Sequence, residues 1–128
     1  EDIFDYGDHG STFGGNPVSC AAALEVLKTM NNKFLSNALK TSKYLRGQLA
    51  QLAKKHACIK EILGIGLMIG IALDKNGKDI VPACLKKGLI INCVQDTILR
   101  LLPPLTITNK DIDTAVKILD EVLRGSEK

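Results

Sequence analysis

The spacing of apolar residues changes period at Cys58 and changes back near Thr108, and this double switch restricts the fold more than any other feature. Before Cys58 the pattern is helical. Asn16 offers a cap and Pro17 a favourable first position. Ala21, Leu24, Val26, Leu27 and Met30 then predict an Ala-rich, largely buried helix. Asn31-Asn32 interrupts it. A second helix is predicted from about 33 to 56, with Phe34, Leu35, Ala38, Leu45, Leu49, Leu52 and Ala53 mostly on one stripe. Its other face carries Lys40, Lys43, Arg46, Lys54 and Lys55. Strand-like segments follow at 59–66, 67–73, 89–94 and 97–102, with turn chemistry at Asp74-Lys75-Asn76-Gly77 and Gln95-Asp96 between the last two. A short helix over 79–87 tolerates Pro82 near its start and is closed by Gly88. Thr108 caps a final helix, with Asp111 near its positive end and Ile112, Ala115, Val116, Leu119, Val122 and Leu123 at helical spacing. Residues 1–15 read as irregular. The fold class is therefore α+β, a small mixed or antiparallel sheet covered by helices.

A chain of 128 residues fits one domain with a real core. Its charge of +3 is modest and its lysines are scattered, so the basic stripe with interleaved aromatics of a nucleic-acid binder is missing. The apolar stretches at 62–73 and 89–93 are too short or too Gly-broken to cross a membrane. Glu1-Asp2-Ile3-Phe4-Asp5 is acidic, with no basic region ahead of an apolar run, so it is not a secretory signal. The start is abrupt and lacks Met, as expected of a piece of a longer protein. Cys20, Cys58, Cys84 and Cys93 lack the close spacing of zinc or redox pairs and read as buried, reduced thiols of a cytoplasmic protein.

Gly64, Gly66 and Gly70 do not make a dinucleotide-binding loop: the third glycine falls one residue late and leads into a strand-like run. They read instead as bends or close approaches within a sheet. His9 and His56 have no metal partner at ligand spacing, so no metal site is expected. Ser11, Thr12 and Ser19 lack a nucleophile-elbow pattern. The loop His9-Gly10-Ser11-Thr12-Phe13-Gly14-Gly15-Asn16-Pro17 is richer. It combines hydroxyl donors, small residues that permit close backbone approach, and a helix start with N–H groups. That suits an anion, and it suits a plain capping loop as well. Arg100 is the second anomaly, since its neighbours in Ile98-Leu99-Arg100-Leu101-Leu102 are all apolar. Such a guanidinium must reach solvent, a structural carboxylate, or the carboxylate of a ligand, which its planar fork fits.

With these two motifs in view, the chain resembles the class III pyridoxal-phosphate aminotransferases. The resemblance begins in the loop 9–17 and Ala21-Ala22-Ala23. It continues through Gly64-Ile65-Gly66-Leu67-Met68-Ile69-Gly70, Lys87-Gly88-Leu89-Ile90-Ile91-Asn92 and Arg100-Leu101-Leu102-Pro103-Pro104-Leu105-Thr106-Ile107. The later motifs lean toward the branch acting on acetylornithine, over the ornithine, 4-aminobutyrate and succinylornithine branches. The resemblance implies the C-terminal small domain of a fold-type I transferase over 17–128, preceded at 1–16 by a cofactor-phosphate and interface loop. It implies that Thr12 bonds the phosphate of pyridoxal 5'-phosphate across a homodimer interface, that Ser11 lies against the substrate from the same partner side, and that Arg100 faces the α-carboxylate of glutamate or 2-oxoglutarate. In related enzymes that arginine alternates between the carboxylate and a glutamate. The implied reaction carries the amino group of acetylornithine to 2-oxoglutarate within arginine biosynthesis. No lysine here has the surroundings of the family's Schiff-base lysine, which precedes the loop, so the chain alone is expected to be inactive. An exposed apolar face is expected where a larger domain would pack. A non-catalytic α+β module using Ser11, Thr12 and Arg100 as an anion-binding or dimerisation site is the competing reading from outside the family.

Overall fold

The computed structural model describes residues 10–12 and 14–126. His9 and Phe13 of the loop lie outside them. The described residues form two compact units, the first ending at Phe34 and the second beginning at Leu35.

The first unit holds helix α1, Pro17–Thr29. Asn16 caps it as expected, its side-chain oxygen accepting from the backbone N–H of Val18 and Ser19. The expected burial is not found: α1 has no buried residue, and Val18, Leu24, Val26 and Leu27 are all exposed. Helical period and small apolar residues predict an element's form, but burial needs a second surface to close over it. Cys20 is exposed for the same reason, whereas Cys58 and Cys84 are buried as expected.

Helix α2, Asn32–Lys55, carries the chain into the second unit. Leu45, Leu49 and Leu52 on one stripe are buried. The stripe differs from the predicted one at its start, where Leu35 is exposed and Thr41 and Ser42 are buried. Those two hydroxyls bond back to the carbonyls of Asn37, Ala38 and Leu39, so their burial leaves no donor unmatched.

Four strands follow: β1 Ile59–Ile65, β2 Met68–Leu73, β3 Asn92–Val94 and β4 Ile98–Leu101. They form one sheet in the order β1-β2-β4-β3, and every pairing is antiparallel, which resolves the open choice between mixed and antiparallel. Gly64 has φ +98, and a Cβ there would run into the Met68 carbonyl oxygen. Only glycine lets β1 turn so tightly into β2, the bend role expected of it.

The last two strands are shorter than predicted, for local reasons. Leu89 N–H returns to the Cys84 carbonyl and completes the end of helix α3, Ile80–Lys86, so strand pairing waits until Asn92. Gly88, at φ +85, makes that helix end in the expected way. Pro82 falls in the first turn of α3, where its missing N–H has no intrahelical partner to lose. Thr97 belongs to the β3–β4 connection, its N–H bonded to the Gln95 carbonyl.

Side chains alternate across the sheet as a pleated strand requires. Ile69, Ile71, Leu73, Leu99 and Leu101 are buried on one face. They pack with the α2 leucines, with Ile80 and Cys84 of α3, and with Ile112, Leu119 and Leu123 of α4, Asn109–Gly125. Each fully buried Leu or Ile contributes roughly 1.5–3 kcal/mol by leaving water. Helix α4 starts at a full capping box: Thr108 Oγ1 accepts from Asp111 N–H while the Asp111 carboxylate accepts from Thr108 N–H. The opposite sheet face stays open, and Arg100 stands on it.

Candidate functional site

Because β4 alternates, placing Leu99 and Leu101 in the core forces Arg100 and Ile98 onto the open face. Arg100 is exposed there, which satisfies the requirement that a guanidinium among apolar neighbours find water or a partner. Its cross-strand neighbours differ sharply. On the β2 side it faces Gly70, which offers no side chain. On the β3 side it faces Asn92, and Arg100 Nε donates to Asn92 Oδ1 at 3.1 Å.

Arg100 borders a shallow hollow of about 210 Å³ lined by Leu63, Ile65, Met68, Val94 and Ile98, with no acidic side chain in its lining. Ile65 is 85% exposed and Met68 54%, so this is an apolar surface open to solvent, as expected for one face of the chain. A planar cation with no carboxylate partner among the described residues, at the rim of an apolar floor, is suited to hold a small carboxylate with apolar carbons behind it.

Ser11 and Thr12 belong to the first unit and Arg100 to the second. Both hydroxyl residues are exposed. Ser11 Oγ accepts from Gly14 N–H at 2.8 Å, leaving its own proton to donate. A Cβ on Gly14 would sit 2.9 Å from Ser11 Oγ, so this glycine is needed for the loop's own turn. The helix start differs from the open anion seat considered above: the Val18 and Ser19 amides are taken by Asn16 Oδ1 and the Cys20 amide by Asn16 O. The Ser11 and Thr12 hydroxyls are exposed donors on a segment, 10–16, with no charged residue to repel a phosphate. The loop thus presents hydroxyls suited to an anion, while the helix amides of Val18, Ser19 and Cys20 are already bonded.

Asn92 is the partner of Arg100 that the sequence reading passed over. Its signal was available in principle, since a hairpin centred on Asp96 puts 92 opposite 100. His56 is buried, with Nε2 2.7 Å from Asp120 Oδ1. Among the described residues no group of three metal-ligating side chains comes together. No helix of the described residues is long and apolar enough to cross a membrane.

The model of the family described as Aminotransferase class-III matches residues 1–123. The chain belongs to the class-III aminotransferases. It is similar to the acetylornithine aminotransferase of Methanocaldococcus jannaschii, 45% identical over 124 residues, which are 96% of this chain and 31% of that protein. It is 48% identical over 123 residues to the acetylornithine aminotransferase of Caldanaerobacter subterraneus subsp. tengcongensis, covering 94% of this chain and 31% of that protein. Among solved structures, an ornithine aminotransferase from Plasmodium yoelii matches with a TM-score of 0.81 at 31% identity, over 95% of this chain and 33% of that one. The chain thus spans about a third of the length of these relatives. Its α+β fold, with the four-stranded antiparallel sheet, is that of the small domain of fold-type I pyridoxal-phosphate transferases.

Proposed function

We propose that this class-III aminotransferase chain is part of an enzyme that moves the amino group of N-acetylornithine to 2-oxoglutarate, giving the semialdehyde and glutamate in arginine biosynthesis. The enzyme works as a cytoplasmic homodimer whose subunits share active sites. The observation that carries this reading is Arg100, a guanidinium with no carboxylate partner among the described residues, at the rim of an apolar hollow. Both substrates of the reaction present an α-carboxylate, and an arginine so placed holds and orients one.

Residues 1–16 then act as the cofactor-phosphate and interface loop and 17–128 as the small domain. Thr12 donates its hydroxyl proton to the cofactor phosphate in the partner subunit's site, and Ser11 lies against the substrate there. Pyridoxal 5'-phosphate supplies, when bound, the electron sink for the transfer. Arg100 fixes the carboxylate so that the amino-bearing carbon is presented in one orientation, while the apolar floor gives the substrate's carbons a surface to pack on.

Steady-state kinetics of the full-length protein with N-acetylornithine, ornithine and 4-aminobutyrate test the donor. The expected order puts kcat/KM for N-acetylornithine first. A higher value for ornithine, the substrate named in the Plasmodium yoelii match, would transfer the assignment to that donor. Arg100→Ala is expected to lower kcat/KM for 2-oxoglutarate about a hundredfold, the size of loss when a hydrogen-bonded charge pair loses one partner.

A further inference from the structure

We infer that Asn92 is a positioning residue for Arg100, and that it confines a bound carboxylate to the two terminal nitrogens of the guanidinium. The inference rests on Arg100 holding a substrate carboxylate. Arginine can grip a carboxylate side-on, through Nε–H and one terminal N–H, or end-on, through both terminal nitrogens. Here Nε already donates to Asn92 Oδ1 at 3.1 Å. The two residues are directly opposed on β3 and β4, so the tether is set by strand register and comes from a short side chain with little freedom. Side-on docking is closed and end-on docking remains.

The choice of an amide carries its own consequence. An aspartate at 92 would tether Nε equally well, but its negative charge would compete with the substrate for the cation. Asparagine orients the guanidinium and leaves its charge available, and none of the residues lining the hollow is acidic. On the other flank Gly70 leaves the space beside Arg100 open. The guanidinium is therefore pinned on one side and unobstructed on the other, as a cation placed for an incoming anion must be.

The test uses the full-length holoenzyme, varying 2-oxoglutarate. Asn92→Leu removes the acceptor at similar volume, Asn92→Asp keeps the acceptor and adds charge, and Arg100→Lys removes the fork. For N92L, KM for 2-oxoglutarate is expected to rise about tenfold while kcat falls no more than about threefold, the loss of one charge-assisted hydrogen bond. For N92D, KM rises at least as much, yet the thermal midpoint stays level or increases because the tether becomes an ion pair. That divergence separates positioning from a structural role, in which N92D would behave as the unsubstituted enzyme. N92D decides the matter by itself should N92L fold poorly. If R100K raises KM while both Asn92 variants stay within about twofold, the Asn92 inference is overturned and the carboxylate reading survives. If R100K leaves KM unchanged, the carboxylate reading falls, and the inference with it.

Discussion

Three basic nitrogens converge on the Asp120 carboxylate, His56 Nε2 and Arg124 Nη2 at hydrogen-bond distance, both 2.7 Å, and Lys55 Nζ as an ion pair at 3.7 Å. The hydrogen bond from His56, then that from Arg124 and the charges of Arg124 and Lys55, hold its carboxyl below the usual carboxylate range despite partial burial. A folded value below the unfolded one stabilises the fold wherever the unfolded carboxyl is ionised, above about pH 4. That stabilisation is lost as pH falls through the lower folded value. Asp74, Asp111 and Glu121 are shifted the same way by Lys60, Thr108 and Lys87. The thermal midpoint, followed by circular dichroism, should fall steeply below about pH 4, and Asp120→Asn should lower it at pH 7 while making the acid decline shallower. An equally steep decline in the Asn variant would remove Asp120 from the explanation. None of this was legible beforehand: His56 and Asp120 lie 64 residues apart. Only the folded packing of α2 against α4 brings them into contact. Arg100 was legible, because a lone charge in an apolar run is anomalous in any fold.

At the scale of elements, local chemistry and tertiary contact divide what sequence can reveal. The start of α4 depends on residues within four positions of one another, and Thr108 and Asp111 form the capping box their spacing implies. Thr108→Ala removes the acceptor for Asp111 N–H and should cost about 1 kcal/mol of unfolding free energy. Urea denaturation at neutral pH measures it, and Thr108→Ser, which keeps the hydroxyl, should recover most of the loss. If the alanine variant unfolds at the same midpoint, the cap contributes nothing to the fold. Gly88 at the end of α3 is legible in the same local way. The beginning of β3 is not, since it depends on Leu89 closing α3 before pairing with β4 can begin. Nor is the exposure of α1, which has the composition of a buried helix and no buried residue.

For the molecule as a whole, the open question is how much of the chemistry these 128 residues can perform by themselves. A lysine that joins covalently to a carbonyl cofactor must be neutral, and proteins secure that by burying it or placing it beside another cation. The described lysines have the opposite surroundings. Lys28, Lys55, Lys60, Lys78 and Lys87 pair with carboxylates. Lys78 is held above its usual range by Asp96. Lys75 alone of the described lysines is partly buried, and its ammonium is bound to Ser126 O and Oγ. None of the described lysines borders the hollow beside Arg100. The isolated chain mixed with pyridoxal 5'-phosphate should therefore give only scattered, low-occupancy borohydride-fixed adducts on surface lysines, located by mass spectrometry, and no amino transfer from N-acetylornithine. Full occupancy at one lysine, abolished by replacing that residue with alanine and accompanied by turnover, would mean that a catalytic lysine lies within this chain. The expected result leaves to this chain only the proposed orienting half of the chemistry, hydroxyls for a phosphate and a tethered guanidinium for a carboxylate.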